Sequence, residues 1–178
     1  MMRRGEVAVC AVVAAVLGTL AAADAGGVRV NVTPSMPVGL WKIESSLPFP
    51  ARGEVVTVCL PEGDAVREAI RRGYVSAGAC PGGSEPLVKP VAAIGGDLVV
   101  VSTHGITVNG APVPSSVPLA QDEAGRALRP VPAGLYRVAR DTVWLLSRHD
   151  PRSFDSRYFG TIPIANVRDV ARPLWVWR

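Results

Sequence analysis

In several short segments of the chain the apolar side chains follow a period of two rather than 3.6. Gly53-Glu54-Val55-Val56-Thr57-Val58-Cys59-Leu60, Asp97-Leu98-Val99-Val100-Val101, Ile106-Thr107-Val108, Leu135-Tyr136-Arg137-Val138 and Thr142-Val143-Trp144-Leu145-Leu146-Ser147 carry that period or short aliphatic runs, and they predict strands. His104-Gly105 and Asn109-Gly110 supply turns between and after the middle pair. Two stretches break the alternation. Val7 to Ala23 is apolar and uncharged, interrupted only by Cys10, Gly18 and Thr19, and Asp64-Ala65-Val66-Arg67-Glu68-Ala69-Ile70-Arg71-Arg72-Gly73 reads as a short helix. In that helix Asp64 is the expected N-cap, the arginines gather toward the C-terminal end, and Gly73 is the terminator. Pro112 to Pro132 follows neither period, is rich in Pro, Ser and charge, and is expected to be an exposed loop. The fold is therefore expected to be mostly β, with one apolar N-terminal segment and one small helical insert. Neither an internal repeat nor a second domain boundary is visible.

Composition narrows the setting. A chain of 178 residues with 48% hydrophobic and 19% charged residues suits one globular domain with a sizeable core. Arg3 and Arg4 precede the apolar run, whose roughly 17 residues lie at the lower limit for a spanning helix and in the upper range for a signal core. Ala23-Asp24-Ala25 before Gly26 has the small residues of a cleavage site, so an uncleaved anchor and a cleaved signal both follow from residues 1–25. Either way the two arginines stay in the cytoplasm and residues 26–178 form the exported domain. The net charge is +4, but the arginines are scattered and export removes the usual nucleic-acid partner. Cys59 and Cys80 follow the apolar run, with no CxxC or Cys/His cluster to suggest a metal. In an oxidising compartment their pairing would stabilise the fold by roughly 3 kcal/mol and close the helical insert, about residues 59–84. Trp175-Val176-Trp177-Arg178 either finishes a strand or rests at a bilayer interface.

Candidate chemistry begins at Ser35, held between Pro34 and Pro37 in a segment that cannot continue a helix, with the Thr33 hydroxyl two residues upstream. Of the 19 basic residues only Lys42 and Lys89 are lysines. Lys89 lies in Pro86-Leu87-Val88-Lys89-Pro90-Val91-Ala92-Ala93-Ile94, where burial would disfavour its charged form. A lysine made neutral in that way can take the proton of a serine hydroxyl, which an arginine cannot do. In Ser153-Phe154-Asp155-Ser156-Arg157, side chains at alternate positions would place Ser153, Asp155 and Arg157 in one row of an extended segment. A Ser-His-Asp triad would have to recruit His104 or His149, and neither has a nucleophile-elbow motif nearby. Two histidines without HExxH or Cys/His spacing give no ground for a catalytic metal, and no cofactor is expected.

Ser35-Met36-Pro37, the apolar run around Lys89 leading into Gly95-Gly96-Asp97, and Ser153-Phe154-Asp155-Ser156-Arg157-Tyr158-Phe159-Gly160 together resemble type I signal peptidases. Ordinary leader peptidases have one more residue between the serine and the proline, so the closer resemblance is to the TraF-type conjugative-transfer peptidases of that superfamily. The resemblance implies a signal-peptidase-like β-fold and a Ser/Lys dyad, with Ser35 as nucleophile and Lys89 as general base. It further implies Thr33 at the oxyanion hole, Ser153 hydrogen-bonded to the Lys89 amine, and a functionally essential Asp155 supported by Arg157. A carboxylate beside Lys89 would raise its pKa, so Asp155 paired with Arg157 is expected rather than Asp155 as proton acceptor. The implied function is a membrane-associated serine endopeptidase, facing the periplasm from the bacterial inner membrane. Its expected partners are an exported pilin precursor, the membrane and other transfer-apparatus proteins. The enzyme would cleave the C-terminal end of the pilin and join that end to its amino terminus. A general leader peptidase and a non-catalytic scaffold of the transfer apparatus are the alternatives.

Overall fold

The computed structural model describes residues 4–45 and 49–177; Arg3 and Arg178, which figure in the membrane expectation, lie outside them. Helix α1 (Arg4–Ala25) leads into β1 (Val28–Asn31) and β2 (Gly39–Ser45). Then come β3 (Val55–Val58), helix α2 (Asp64–Arg71), β4 (Leu87–Ile94), β5 (Leu98–Ser102), β6 (Gly105–Val108) and β7 (Ala111–Pro112). The chain continues through β8 (Gly134–Arg137), β9 (Thr142–Leu145), the short helix α3 (Ser156–Phe159), β10 (Ile162–Pro163) and β11 (Val167–Val176). No helix among the described residues is long and apolar enough to cross a membrane. Helix α1 instead forms one exposed apolar helix, with Val9, Val12, Val13, Val16 and Leu17 uncovered.

A seven-stranded sheet runs β1-β2-β11-β3-β4-β9-β10, and a four-stranded sheet runs β7-β6-β5-β8. The mostly β expectation holds, and the five predicted strands form at or within two or three residues of their expected ends. Strand β9 joins the two halves of the core because its side chains alternate. Val143 and Leu145 enter a cluster with Val56, Val58, Val91 and Ile162, whereas Trp144 and Leu146 enter a second with Val99, Val101 and Ile106. On β4 the buried positions are Lys89, Val91 and Ala93, so the same alternation that seats Val91 in the core carries Lys89 inward. At Asn109-Gly110 both residues have positive φ, 50° and 83°, which suits the twist of the β6–β7 hairpin and explains why a dipeptide tolerant of left-handed backbone stands there.

Two expectations are corrected. Gly63 caps α2 in place of Asp64, whose carboxylate lies in the first turn and takes a hydrogen bond from Arg67. There it still faces the positive end of the helix. The stretch from Pro112 to Pro132 is a mostly exposed loop, as expected, but it is anchored at a few points. Val113 and Ser116 are buried, the Ser116 hydroxyl takes the Ile106 N–H, Gln121 bridges to Ala127, and Arg157 reaches the Ser115 carbonyl. Anchors at such irregular intervals leave no period in the sequence. Finally, residues 153–157 do not form an extended row. Asp155 accepts the Arg157 backbone N–H and so starts helix α3.

Cys59 and Cys80 are joined, with Cα atoms 5.5 Å apart, and the loop they close contains α2. Val66 and Ala69 of that helix pack with Val58, Leu145 and Ile162, which fixes the insert against the β9–β10 end of the larger sheet.

Candidate active site

Lys89 is 4% exposed, and its ammonium donates a 2.8 Å hydrogen bond to the Ser153 hydroxyl. Burial pushes its pKa down from 10.5 to about 8; the charges of Asp155 and Asp150 push it up and that of Arg157 pushes it down, but desolvation prevails. The lysine is therefore held where it can lose its proton near neutral pH, in the environment expected from its apolar neighbours.

The turn opposite Lys89 is built around a buried ion pair. Asp155 and Arg157 are both fully buried. Arg157 Nε and Nη2 each bond one carboxylate oxygen of Asp155 at 2.8 Å. Its remaining three N–H groups are shared among four carbonyls, Nη1 facing those of Ser115 and Pro151 and Nη2 those of Asp150 and Ser153. Asp155 also accepts the backbone N–H groups of Arg157 and Ser147, so its oxygens are already occupied. A planar guanidinium with five donors suits this cage of acceptors, and a lysine would leave most of them empty. Asp155 makes its hydrogen bonds to Arg157 and Ser147, while Ser153 is the residue that touches the Lys89 amine.

Ser35 lies in the turn between β1 and β2, half-buried, with the Thr33 hydroxyl 3.3 Å from its own. Asn31 shapes this turn. Its side-chain amide donates to the carbonyls of Thr33, Met36 and Pro37, and its oxygen accepts the Thr33 N–H and hydroxyl. Next to Ser35, Met36 is buried in a small cluster with Trp41 and Ala171, packed against Val55 and against Val88, the residue before Lys89. The Ser147 hydroxyl donates a 2.5 Å bond to the Ser35 carbonyl, while the Ser147 backbone N–H donates to Asp155. One buried serine thus joins the Ser35 turn to the Asp155 turn. Gly39 closes the turn where β11 passes; a Cβ there would stand 2.1 Å from the Trp175 carbonyl oxygen.

Beside this junction lies a cleft of about 540 Å³. Met36, Val55, Val91 and Leu146 give it an apolar wall, and Arg148 and His149 lie at its edge. The structure brings Lys89, Ser153, Asp155 and Arg157 into one bonded cluster and joins Ser35 and Thr33 to it through Ser147. His104 lies apart, in the turn between β5 and β6, and His149 enters the network through its backbone N–H, which donates to Ser147. Sequence reasoning passed over Ser147 and Asn31. A polar residue ending an otherwise apolar strand marks the first, and an asparagine heading a proline-punctuated turn marks the second.

A solved signal peptidase I from Enterococcus faecalis, 19% identical, aligns over 70% of this chain and 98% of its own with a TM-score of 0.39. The sequence is 45% identical over 160 residues to a Sinorhizobium fredii protein named "Probable conjugal transfer protein TraF", covering 89% of this chain and 82% of that one. It is 39% identical over 174 residues to the "Plasmid transfer protein TraF" of Escherichia coli, covering 97% of each. The family model "Signal peptidase, peptidase S26" matches residues 1–177, and the chain belongs to that family.

Proposed function

We propose that this chain is a serine endopeptidase in which neutral Lys89 activates Ser35, and that it serves conjugative transfer by maturing an exported pilin precursor. The observation that carries the dyad is the state of Lys89: a lysine inside the core, with its pKa lowered to about 8 and a hydroxyl as its hydrogen-bond partner. At pH 7.5 about a quarter of such lysines are neutral, against about one in a thousand at the ordinary pKa. The role in conjugation is supported by two relatives named as transfer proteins, one of which is matched over 97% of both chains.

In this reading Lys89 Nζ accepts the Ser35 hydroxyl proton as Ser35 Oγ attacks the scissile carbonyl carbon. The resulting oxyanion is stabilised by N–H groups of the turn and by the Thr33 hydroxyl, once that hydroxyl swings from Asn31. Collapse breaks the C–N bond, Lys89 returns the proton to the leaving amine, and the new acyl group remains as an ester on Ser35. Asp155 and Arg157 hold Ser147 and the Ser153 turn, and through them the relative position of nucleophile and base.

The ester can then be opened by water or by the pilin's own amino terminus, and the second outcome closes a ring. Against water at about 55 M the amine wins only when it is held as an intramolecular nucleophile, for which effective molarities of roughly 10⁵ M are attainable. The substrate arrives from a bilayer, and the surface around Ser35 suits one. Val30, Leu40 and Trp175 form an exposed cross-strand row over β1, β2 and β11, flanked by Val32, Val38 and Trp177. Exposed tryptophans and the uncovered apolar helix α1 support a periplasmic domain tethered to or facing the inner membrane.

The test is product mass. Purified enzyme with full-length pilin precursor is expected to give a circular product, lighter by about 18 Da than the linear hydrolysis product because no water is added. Linear product alone would replace ring closure with the chemistry of a general leader peptidase. An intact precursor after prolonged incubation would favour the non-catalytic scaffold.

A further inference from the structure

A cavity of about 970 Å³ shares no lining residue with the cleft beside the Ser35 turn. Helix α2 forms one wall, residues 127–129 the other, and the rings of Tyr74, Phe154 and Tyr158 lie between. Those rings are in mutual contact: Phe154 stacks on Tyr158 with centroids 5.5 Å apart and meets Tyr74 at the same distance. The walls are joined across the groove. Arg72 donates to the Ala127 carbonyl, Arg126 donates to the Arg72 carbonyl, and the Tyr74 hydroxyl bonds Asp122. The Cys59–Cys80 bond closes the loop that carries α2, so the backbone of both walls is tied together, which lowers the cost of ordering on binding.

Its charge is one-sided. Arg67, Arg71, Arg72 and Arg129 line it with Asp64 and Glu68, so the arginines exceed the carboxylates by two. Asp64 serves Arg67 alone, but Glu68 is shared by Arg71 and Arg72. Arg129 is exposed and has no hydrogen bond or ion pair among the described residues. Each guanidinium carries five donors, so the groove presents unspent N–H groups above an aromatic floor. That combination fits carboxylates held by arginine forks alternating with apolar or aromatic side chains laid on the rings.

We infer that this groove is a docking site for an acidic, aromatic-containing segment of a partner polypeptide. A bilayer is the less suitable occupant. The exposed apolar strands β1, β2 and β11 lie at one end of the seven-stranded sheet, whereas α2 packs on Ile162 of β10 at the other. Phe154 and Tyr158 belong to the same turn and helix start as Ser153, which bonds Lys89, so a segment seated on the rings touches that turn without entering the cleft of about 540 Å³.

The probe is a fluorescein-labelled peptide alternating Glu and Phe, titrated onto the full chain, beside its Gln/Phe counterpart and vesicles of phosphatidylglycerol. Arg71 and Arg129 are both exposed, so the double charge reversal Arg71→Glu, Arg129→Glu leaves the core untouched. Expected results are binding of the acidic peptide at least tenfold tighter than its Gln counterpart, weakening with salt, and a loss of at least tenfold in the double variant. Equal binding of the two peptides, or acidic-peptide binding that the double variant leaves unchanged, overturns the proposal. So does a variant that loses vesicle binding while keeping the peptide. Melting temperature and retention of the Cys59–Cys80 bond establish that the variant is folded.

Discussion

The two sides of the candidate dyad are built in opposite ways. Lys89 and its supporting turn are dry and saturated: Lys89, Ser153, Asp155 and Arg157 are all buried, and every oxygen of Asp155 is spoken for. The Ser35 turn is half open, and it is held by the Asn31 side chain, the buried Met36 and one hydroxyl from Ser147. In the proposed mechanism the contrast follows from what each group would have to do. A lysine becomes a base near neutral pH only where water is excluded, whereas a nucleophile must be reachable by a peptide. The Asp155–Arg157 pair is expected to fail by unfolding, Lys89 by loss of the base without unfolding, and the open side by misplacement.

The largest effect is expected from Lys89→Arg, which keeps the positive charge but cannot become neutral, so processing should fall by on the order of 10⁶-fold, the scale seen when a serine-protease nucleophile or base is removed. Lys89→Met sharpens the same point through stability. The unfolded chain holds the lysine proton up to pH 10.5 and the folded protein only up to about 8, so the unfolded state binds more protons between these values. The lysine therefore costs about 3 kcal/mol below pH 8, and this penalty fades as pH rises toward 10.5. The methionine variant should be inactive yet more stable at pH 7, with the gain shrinking at high pH; denaturant melts at pH 7 and 10 measure it. Asp155→Ala comes next. It strands Arg157 in the core and should lower stability by about 3–5 kcal/mol, visible as a shifted urea midpoint with an unchanged slope. Ser147→Ala is the mildest. It should cost about 1 kcal/mol in stability and yet slow processing about 10²-fold, because it frees the carbonyl that positions Ser35. Equal losses of stability and rate in that variant would erase the distinction between the two sides.

Much of the fold could be read from local pattern. The period of two around Val55–Val58 and Thr142–Leu145, the α2 helix and the pairable cysteines are all short-range signals, and the apolar neighbours of Lys89 announced its burial. What escaped depends on distant contacts. Placing β11 between β2 and β3 brings the end of the chain beside its beginning, and no local period encodes that order. Residues 153–157 looked extended because their polar side chains alternate. The Asp155 carboxylate, by taking the Arg157 N–H, turned the segment into a helix start. Ser147 was invisible as a positioning residue because both its partners, Ser35 and Asp155, lie far away or across a turn.

The most direct test of the dyad is the rate at which a hydroxyl-reactive probe modifies Ser35 between pH 6 and 10, with the labelled residue mapped by mass spectrometry. The account predicts labelling at Ser35 that rises through a single ionisation near pH 8 and disappears in Lys89→Met. An unlabelled Ser35, or labelling that ignores pH and persists in Lys89→Met, would contradict it.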